Sequence, residues 1–164
     1  MEDKCYSVAL QLVRNAGNLV REAFHRPSGV EFETKSSSID LVTEIDRNVE
    51  ALLVNGLKAE FPDHTFIGEE STALGKHEKF TDSPTWLIDP IDGTTNFVHR
   101  LPFVCISVGF YVNKRPSFGI IYNPILEDLF TARQGQGAYK NGFPIHVSKT
   151  TGKNRGFFSV QYFT

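Results

Sequence analysis

The chain has 164 residues, a length that suits one domain and is short for two. Its formal net charge of −2 at pH 7 offers no basic field to a nucleic acid. No apolar run approaches the roughly eighteen residues of a membrane-spanning helix, and the N-terminus lacks a signal-peptide pattern. We therefore expect a soluble, cytoplasmic protein with no nucleic-acid or membrane partner. Its two cysteines, Cys5 and Cys105, are expected to be free and buried.

The N-terminal part of the chain predicts two helices. Apolar residues recur at three- and four-residue steps over residues 5–25, which indicates one wide buried helix face. A second helix is predicted to begin near Thr43 and to end before Pro62. Between the two helices, residues 30–32 could form a short strand and residues 35–38 read as a polar loop.

From residue 65 the pattern changes to strands separated by turn residues. The predicted strands cover residues 65–68, 85–89, 104–112, 118–122, 129–133, 138–140 and 143–145. Residues 72–84 read as a polar loop, and Asn141–Gly142 predicts a type I′ hairpin turn. The fold class is therefore α+β, with two N-terminal helices packed on a largely antiparallel sheet. We expect residues 1–149 to form this unit and residues 150–164 to be a divergent tail.

One stretch, residues 86–97 with the sequence WLIDPIDGTTNF, carries two acids of interest. An apolar run ends in Asp89, and Asp92 follows in a loop that Pro90 helps to turn. Two carboxylates held close together repel each other, and a divalent cation between them relieves that repulsion. Because Mg²⁺ prefers oxygen ligands of this kind, the loop predicts a magnesium site.

A phosphate cradle is predicted directly after these acids. Residues 93–96 read as a turn that opens a short helix, whose free amide groups suit phosphate oxygens. A second apolar run ends in Glu69 and Glu70, and a cation site with several ligands needs acids from separate strand ends. A cation beside a phosphate cradle is the arrangement of a metal-assisted phosphate hydrolase. The alternative is that Asp-Pro and Asp-Gly act here only as ordinary turn formers.

The sequence resembles the inositol monophosphatase family, a group of Mg²⁺-dependent, Li⁺-sensitive phosphatases. The resemblance runs from about Tyr6 to Ser148. The matching motifs are DPIDGTTNF at 89–97, GEES at 68–71, KSS at 35–37, DLVT at 40–43 with Asp46, and FVHR at 97–100 with Pro102 and Phe103. The resemblance implies the N-terminal half of the layered αβαβα inositol monophosphatase and sugar phosphatase fold. It also implies hydrolysis of inositol monophosphates, which serves inositol recycling in phosphatidylinositol signalling.

The resemblance further implies two or three Mg²⁺ ions and a set of ligands. Glu69, Asp89 and the backbone carbonyl of Ile91 would bind the first ion. Asp89 would bridge to a second ion, which Asp92 would also hold, and Glu69 would touch a third through water. By the same resemblance the protein would be a homodimer that Li⁺ inhibits.

Catalytic and phosphate-binding roles follow from the same resemblance. Thr94, hydrogen-bonded to Asp46, would orient the water that attacks phosphorus, and Glu69 would contribute to the same step. The amides of Gly93 and Thr94, with Asp92, would bind the phosphate group.

Other interpretations of these residues stay open at this point. Glu70 and Lys35 would support the metal cluster, but Glu70 could be a surface acid and Lys35 a solvated loop charge. Asp46 could be only a helix-cap partner of Thr43. Thr94 could be only a helix N-cap.

The resemblance also leads us to expect a Trp-Asp-x-Ala-Gly segment, whose Asp would complete the second metal site. The chain has no such segment, and Trp86 is its single tryptophan. We therefore interpret the chain as truncated, with two hypotheses for it. It could be the N-terminal half of a phosphatase. Alternatively, it could be a non-catalytic form that lacks the third metal-binding Asp and acts only as a binding partner or is unstable.

Overall fold

The computed structural model describes residues 2–26, 35–75 and 78–149, and for residues 35–43 it describes the backbone alone. In chain order the elements are α1 (Glu2–His25), α2 (Lys35–Glu60), β1 (Thr65–Gly68), α3 (Glu69–Ala73), β2 (Thr85–Asp92), α4 (Thr94–Val98), β3 (Cys105–Val112), β4 (Arg115–Asn123), β5 (Asp128–Arg133), β6 (Gly137–Lys140) and β7 (Phe143–Ile145). The strand predicted at 30–32 and the tail predicted at 150–164 lie outside the described residues.

Both predicted helices are present, but the second begins earlier than the sequence indicated. α2 starts at Lys35, not near Thr43, so the predicted polar loop at 35–38 is wrong. Serine is only about 0.5 kcal/mol less favourable than alanine in a helix, and each residue added to a formed helix gains a backbone hydrogen bond. The helix can therefore continue through the serines. In the part of the chain that is described, no helix is both long and apolar enough to cross a membrane.

The described strands form one sheet in the order β1 to β7. β1 and β2 run parallel, whereas the later neighbours are antiparallel, which confirms the largely antiparallel α+β fold. Asn141 and Gly142 join β6 to β7 with φ angles of 49° and 83°, which fit the predicted hairpin turn. The loop predicted at 72–84 starts two residues later, because α3 extends to Ala73.

The main core lies between the sheet and the two long helices. α1 packs its apolar face on β3 and β4, and α2 packs on β2. Alternate residues of the central strands point under these helices and are buried: Trp86, Ile88, Ile106, Val108, Phe110 and Ile120. Burying a side chain of this size contributes about 1.5–3 kcal/mol. The sheet is therefore held firmly against the helices up to the end of its central strands.

Trp86 anchors the strand that carries the predicted acids. Its ring lies 4.4 Å from that of Phe110, and its indole Nε1 donates a hydrogen bond to Nδ1 of His64 at 3.0 Å. His64 is itself stacked on Phe61, with ring centroids 5.1 Å apart. Burial lowers the pKa of His64, which favours the neutral ring that accepts this hydrogen bond. Asp89 follows this anchor by three residues.

Candidate active site

The acids predicted from the sequence meet at one edge of the sheet. β1 and β2 are parallel and are paired as far as Gly68 and Ile88. The next residues of the two segments, Glu69 and Asp89, therefore emerge side by side. Their carboxyl groups are close enough for Glu69 to raise the pKa of Asp89.

Asp89 occupies an unfavourable position for an ionised carboxylate. Burial, together with the neighbouring acids Glu69 and Asp92, raises the pKa of Asp89 to about 7. One carboxyl oxygen, Oδ1, is buried without a hydrogen-bond partner. Because an unpaired buried polar atom carries a large desolvation penalty, this oxygen is a candidate ligand for a group that the protein atoms do not supply.

Asp46 joins this cluster from α2. Only 4% of the residue is exposed, and burial raises the pKa of its carboxyl group to about 7. The negative charges of Glu70, Asp89, Glu69 and Glu50 add to this rise, in that order of importance. The long helix thus brings a further acid toward the end of β1 and β2. Because α2 begins at Lys35, Asp46 lies inside the helix, and the interpretation of Asp46 as a cap partner of Thr43 is wrong.

Asp92 lies beyond an irregularity in the sheet. The pairing of β2 with β3 shifts between Asp89 and Asp92, so that Asp92 pairs with Cys105. The Cys105 thiol donates to Oδ2 of Asp92 at 3.8 Å. Burial and the two aspartates raise the pKa of Cys105 to about 11. Both cysteines are free as predicted, but only Cys5 is fully buried; Cys105 is half-buried because it lies at this exposed acidic edge.

The glycine turn and short helix predicted after the acids are present. Gly93 precedes α4 with φ 91° and ψ 37°, a left-handed conformation that glycine adopts without strain. A Cβ atom at this position would lie 2.7 Å from the carbonyl oxygen of Phe103. The Thr94 hydroxyl donates to the carbonyl of Ile91 at 3.1 Å. Gly93 is the N-cap, so the interpretation of Thr94 as an N-cap is wrong.

The Thr94 hydroxyl does not donate its proton to Asp46, the partner that we predicted for it. That proton is directed to Ile91, on the loop that joins the two aspartates of β2. A hydrogen bond from Thr94 to Asp46 would require this hydroxyl to rotate away from Ile91. The assignment of Thr94 and Asp46 to a shared catalytic role stays a prediction.

Two residues, Glu70 and Lys35, were predicted to support the metal cluster. Glu70 is half-buried, and burial, with the charges of Glu50 and Glu69, raises the pKa of its carboxyl group. The side chain of Lys35 lies outside the described part of the structure.

Sequence reasoning missed Glu50, which is buried and contacts the same corner of the fold. Its signal was an acid four residues after Asp46 on the same helix face, next to the buried Val49 and Leu53.

A groove of about 500 Å³ gives access to the acids, and Glu69, Asp89 and Ser107 are among the residues that line it. Over the described ranges, no group of three or more His, Cys, Asp and Glu side chains is already arranged as a metal site. The donor atoms of these residues nevertheless suit a hard divalent cation. The donors are oxygens, and the free Oδ1 of Asp89 and the raised pKa of this carboxyl group are features that a bound cation would relieve.

The fold is α+β, and its sheet has an acidic edge beside a glycine turn and a short helix. These features fit the layered fold class of the inositol monophosphatases and sugar phosphatases. The chain belongs to the inositol monophosphatase family, whose model matches residues 1–163. This match includes most of the segment that we predicted to be a divergent tail, and the division of the chain at residue 149 stays a prediction.

Individual relatives agree with this assignment. The chain is 49% identical over 146 residues to inositol monophosphatase 1 of Homo sapiens, an alignment that covers 89% of this chain and 52% of the relative. The crystal structure of inositol monophosphatase II from Staphylococcus aureus MSSA476 has a TM-score of 0.75 at 29% identity, over 89% of this chain and 52% of that one. The structure of SaIMPase-II with inositol monophosphate bound has a TM-score of 0.73 at 27% identity, over 92% and 52%.

The chain spans about half of the length of the relatives that it matches. Because these alignments cover 89–92% of this chain, most of the described fold lies within the matched part. What the whole relatives do is therefore a matter of proposal for this chain.

Proposed function

We propose that this chain is a Mg²⁺-dependent phosphomonoesterase that hydrolyses inositol monophosphates to inositol and phosphate. The observation that carries the proposal is the half-buried Asp89, whose buried and unpartnered Oδ1 lies in a cluster with Glu69 and Asp92 directly before the Gly93 turn. Family membership and the inositol monophosphate named in the SaIMPase-II structure support the choice of substrate.

The proposed metal ligands are oxygen atoms of four residues. Glu69, Asp89 and the Ile91 carbonyl would hold one Mg²⁺, and Asp89 and Asp92 would hold a second. When bound, these ions would supply Lewis-acid activation of water and neutralise charge on the leaving oxygen. The protein contributes by holding the acids close together, which the parallel ends of β1 and β2 favour, and a bound cation would favour the ionised form of Asp89. A third ion near Glu69 belongs to the same proposal.

The proposed roles of the loop residues concern the phosphate group and the attacking water. The left-handed turn at Gly93 leaves the amides of Gly93 and Thr94 free of intrahelical partners, as at the start of any helix, so they can donate to phosphate oxygens. Asp92 is exposed at this edge and can approach the substrate. Thr94 and Asp46 would orient the water, with Glu69 beside them.

The proposal includes further properties that the family resemblance implies. They are inhibition by Li⁺, a homodimeric state, a cytoplasmic location, and supporting roles for Glu70 and Lys35. Size-exclusion chromatography with light scattering tests the homodimer directly.

The proposed function is tested by measuring phosphate release from inositol 1-phosphate with purified chain. We expect release that requires millimolar Mg²⁺, stops when EDTA is added and is inhibited by Li⁺. Glucose 6-phosphate serves as a second substrate to measure selectivity. A folded chain that binds Mg²⁺ but releases no phosphate would overturn the catalytic proposal and favour the hypothesis of a non-catalytic, partner-binding form.

A further inference from the structure

Glu50 of α2 makes two hydrogen bonds to the corner where β1 becomes α3. Its Oε2 accepts from the amide of Glu70 at 2.8 Å, and its Oε1 accepts from the amide of Ser71 at 3.0 Å. Only 7% of Glu50 is exposed. A carboxylate whose two oxygens each accept one amide holds those amides in a fixed orientation.

The same carboxylate fills the space in front of Gly68, the last residue of β1. A Cβ atom on Gly68 would lie 2.3 Å from the carboxyl carbon of Glu50 and 2.3 Å from its Oε2. Gly68 has φ −103° and ψ 153°, a conformation that any residue adopts. The glycine is therefore required by the position of the Glu50 carboxylate and not by the backbone.

Glu69 lies between these contacts. Its preceding residue, Gly68, touches the Glu50 carboxylate, and its following residue, Glu70, donates an amide to it. The backbone of Glu69 is thus fixed from both sides at the point where its carboxyl group reaches Asp89. The Glu50 carboxylate therefore influences the direction of the Glu69 side chain through the backbone.

We propose that Glu50 is a positioning residue, which holds the corner between β1 and α3 so that the carboxylate of Glu69 faces Asp89 and can share a divalent cation with it. The proposal deepens the proposed function and rests on the metal-binding role of Glu69. Residues that orient metal ligands in this way typically change metal affinity about 10–100-fold when they are replaced.

A residue that only stabilised the fold would behave differently from a positioning residue. Loss of a purely stabilising contact lowers the free energy of unfolding but leaves the affinity of the folded fraction for a cation unchanged. Loss of a positioning contact lowers that affinity even at temperatures where the variant is fully folded. Metal affinity therefore distinguishes the two roles without any measurement of catalysis.

The test uses Mn²⁺ as a probe cation and isothermal titration calorimetry on the full chain. Glu50→Gln keeps the shape of the side chain but replaces one acceptor oxygen with a donor, so one of the two amides loses its partner. We expect Glu50→Gln to weaken Mn²⁺ binding at least tenfold and to speed hydrogen exchange at the amides of Glu70 and Ser71. The matched control is Glu44→Gln, which removes an exposed acid from the same helix and should change the affinity less than twofold.

A second variant tests the same positioning role without replacing Glu50. Gly68→Ala leaves every charge in place and suits the local backbone, but its Cβ must displace the Glu50 carboxylate. We expect it to reproduce the loss of Mn²⁺ affinity. Thermal unfolding curves define a temperature at which each variant is folded for the titration.

The outcomes distinguish a failure of the positioning role of Glu50 from a failure of the proposed metal site. Mn²⁺ affinity that is unchanged in folded Glu50→Gln or folded Gly68→Ala overturns the positioning role while the metal site stands. If the unsubstituted chain binds no Mn²⁺, the proposed metal site fails, and the positioning role fails with it.

Discussion

Glu69 and Asp89 directly follow Gly68 and Ile88, which are paired in two parallel strands, and their carboxyl groups are close enough for Glu69 to raise the pKa of Asp89. Two acids at this distance cannot both be ionised at low cost unless a cation lies between them. In the metal-free chain Asp89, whose pKa is raised to about 7, holds a proton up to near-neutral pH. This proton links the stability of the chain to pH and to divalent cations.

The metal-free chain is expected to lose stability as the pH rises from about 4 to about 7. Asp46 and Asp89 have pKa values raised to about 7 in the folded state, from 3.8 in the unfolded one. Between these values the folded chain binds more protons than the unfolded chain, so the free energy of unfolding falls with increasing pH. The loss is complete above about pH 7. Urea denaturation at several pH values measures it.

Divalent cations should oppose this loss, because they bind the ionised form of the cluster. Repeating the denaturation series with millimolar Mg²⁺ is expected to restore stability most strongly at pH 8. His64, whose pKa is lowered, contributes the opposite slope below its ordinary pKa of 6.5, since its charging destabilises the folded state. The Asp46→Asn and Asp89→Asn variants isolate the contribution of the acids. An equal pH slope in these variants and the parent chain would contradict the prediction.

Asp89→Asn should separate metal binding from folding. The substitution removes a charge that is unfavourable in the metal-free fold, so the unfolding midpoint at pH 8 should be unchanged or higher. The stabilisation by Mg²⁺ and any Mg²⁺-dependent phosphate release should be lost. Asp82→Asn is the control, because Asp82 is exposed and lies outside the cluster. Retained turnover in folded Asp89→Asn refutes the metal assignment.

Gly93→Ala should impair the phosphate loop more than it impairs the fold. The left-handed conformation costs a non-glycine residue about 1–2 kcal/mol, and the new Cβ would also meet the carbonyl oxygen of Phe103 at 2.7 Å. Gly135→Ala is a matched control, since Gly135 has φ 74° and a Cβ added there would have no neighbouring atom within 4 Å. Both variants should be destabilised, but only Gly93→Ala should lose phosphate release at temperatures where both are folded. Equal activities would argue against a role for this turn in binding phosphate.

Arg100→Ala should loosen the short helix that follows the Gly93 turn. The Arg100 guanidinium donates to the carbonyl oxygens of Ala23, Phe24 and Arg26 at the end of α1, and thereby ties the segment after α4 to that helix. Hydrogen bonds from a charged group contribute about 1.5–3 kcal/mol. We expect a loss of that order in the free energy of unfolding, measured in urea. Arg14→Ala, on the exposed face of α1, should change it by less than about 0.5 kcal/mol.

Local patterns in the sequence were sufficient to predict most of the sheet and the shape of the acidic loop. Alternating apolar residues mark the strands, and the sequence from Asp89 to Gly93 requires a turn whatever its surroundings. The start of α2 could not be predicted, because serine-rich segments are compatible with both loop and helix. The parallel alignment that brings Glu69 to Asp89 is a long-range feature, and no local pattern indicates which of Glu69 and Glu70 reaches the site.

Glu50 was missed for a different physical reason. An acid on a helix is usually solvated, and its burial depends on what packs above it. Here the amides of Glu70 and Ser71 come from a segment about twenty residues further along the chain. Only the assembled fold shows that they compensate a buried carboxylate.

The parallel pairing of β1 with β2 divides this region into a part that tolerates change in length and a part that does not. The described residues 73–75 and 78–83 of the connection between these strands are exposed, and additional residues there would leave the ends of the strands in place. A slip of the pairing by a single residue would set Glu70 beside Asp89 and turn every side chain of β1 to the opposite side. Family members should therefore differ in the length of this connection and agree in the alignment of the two strands.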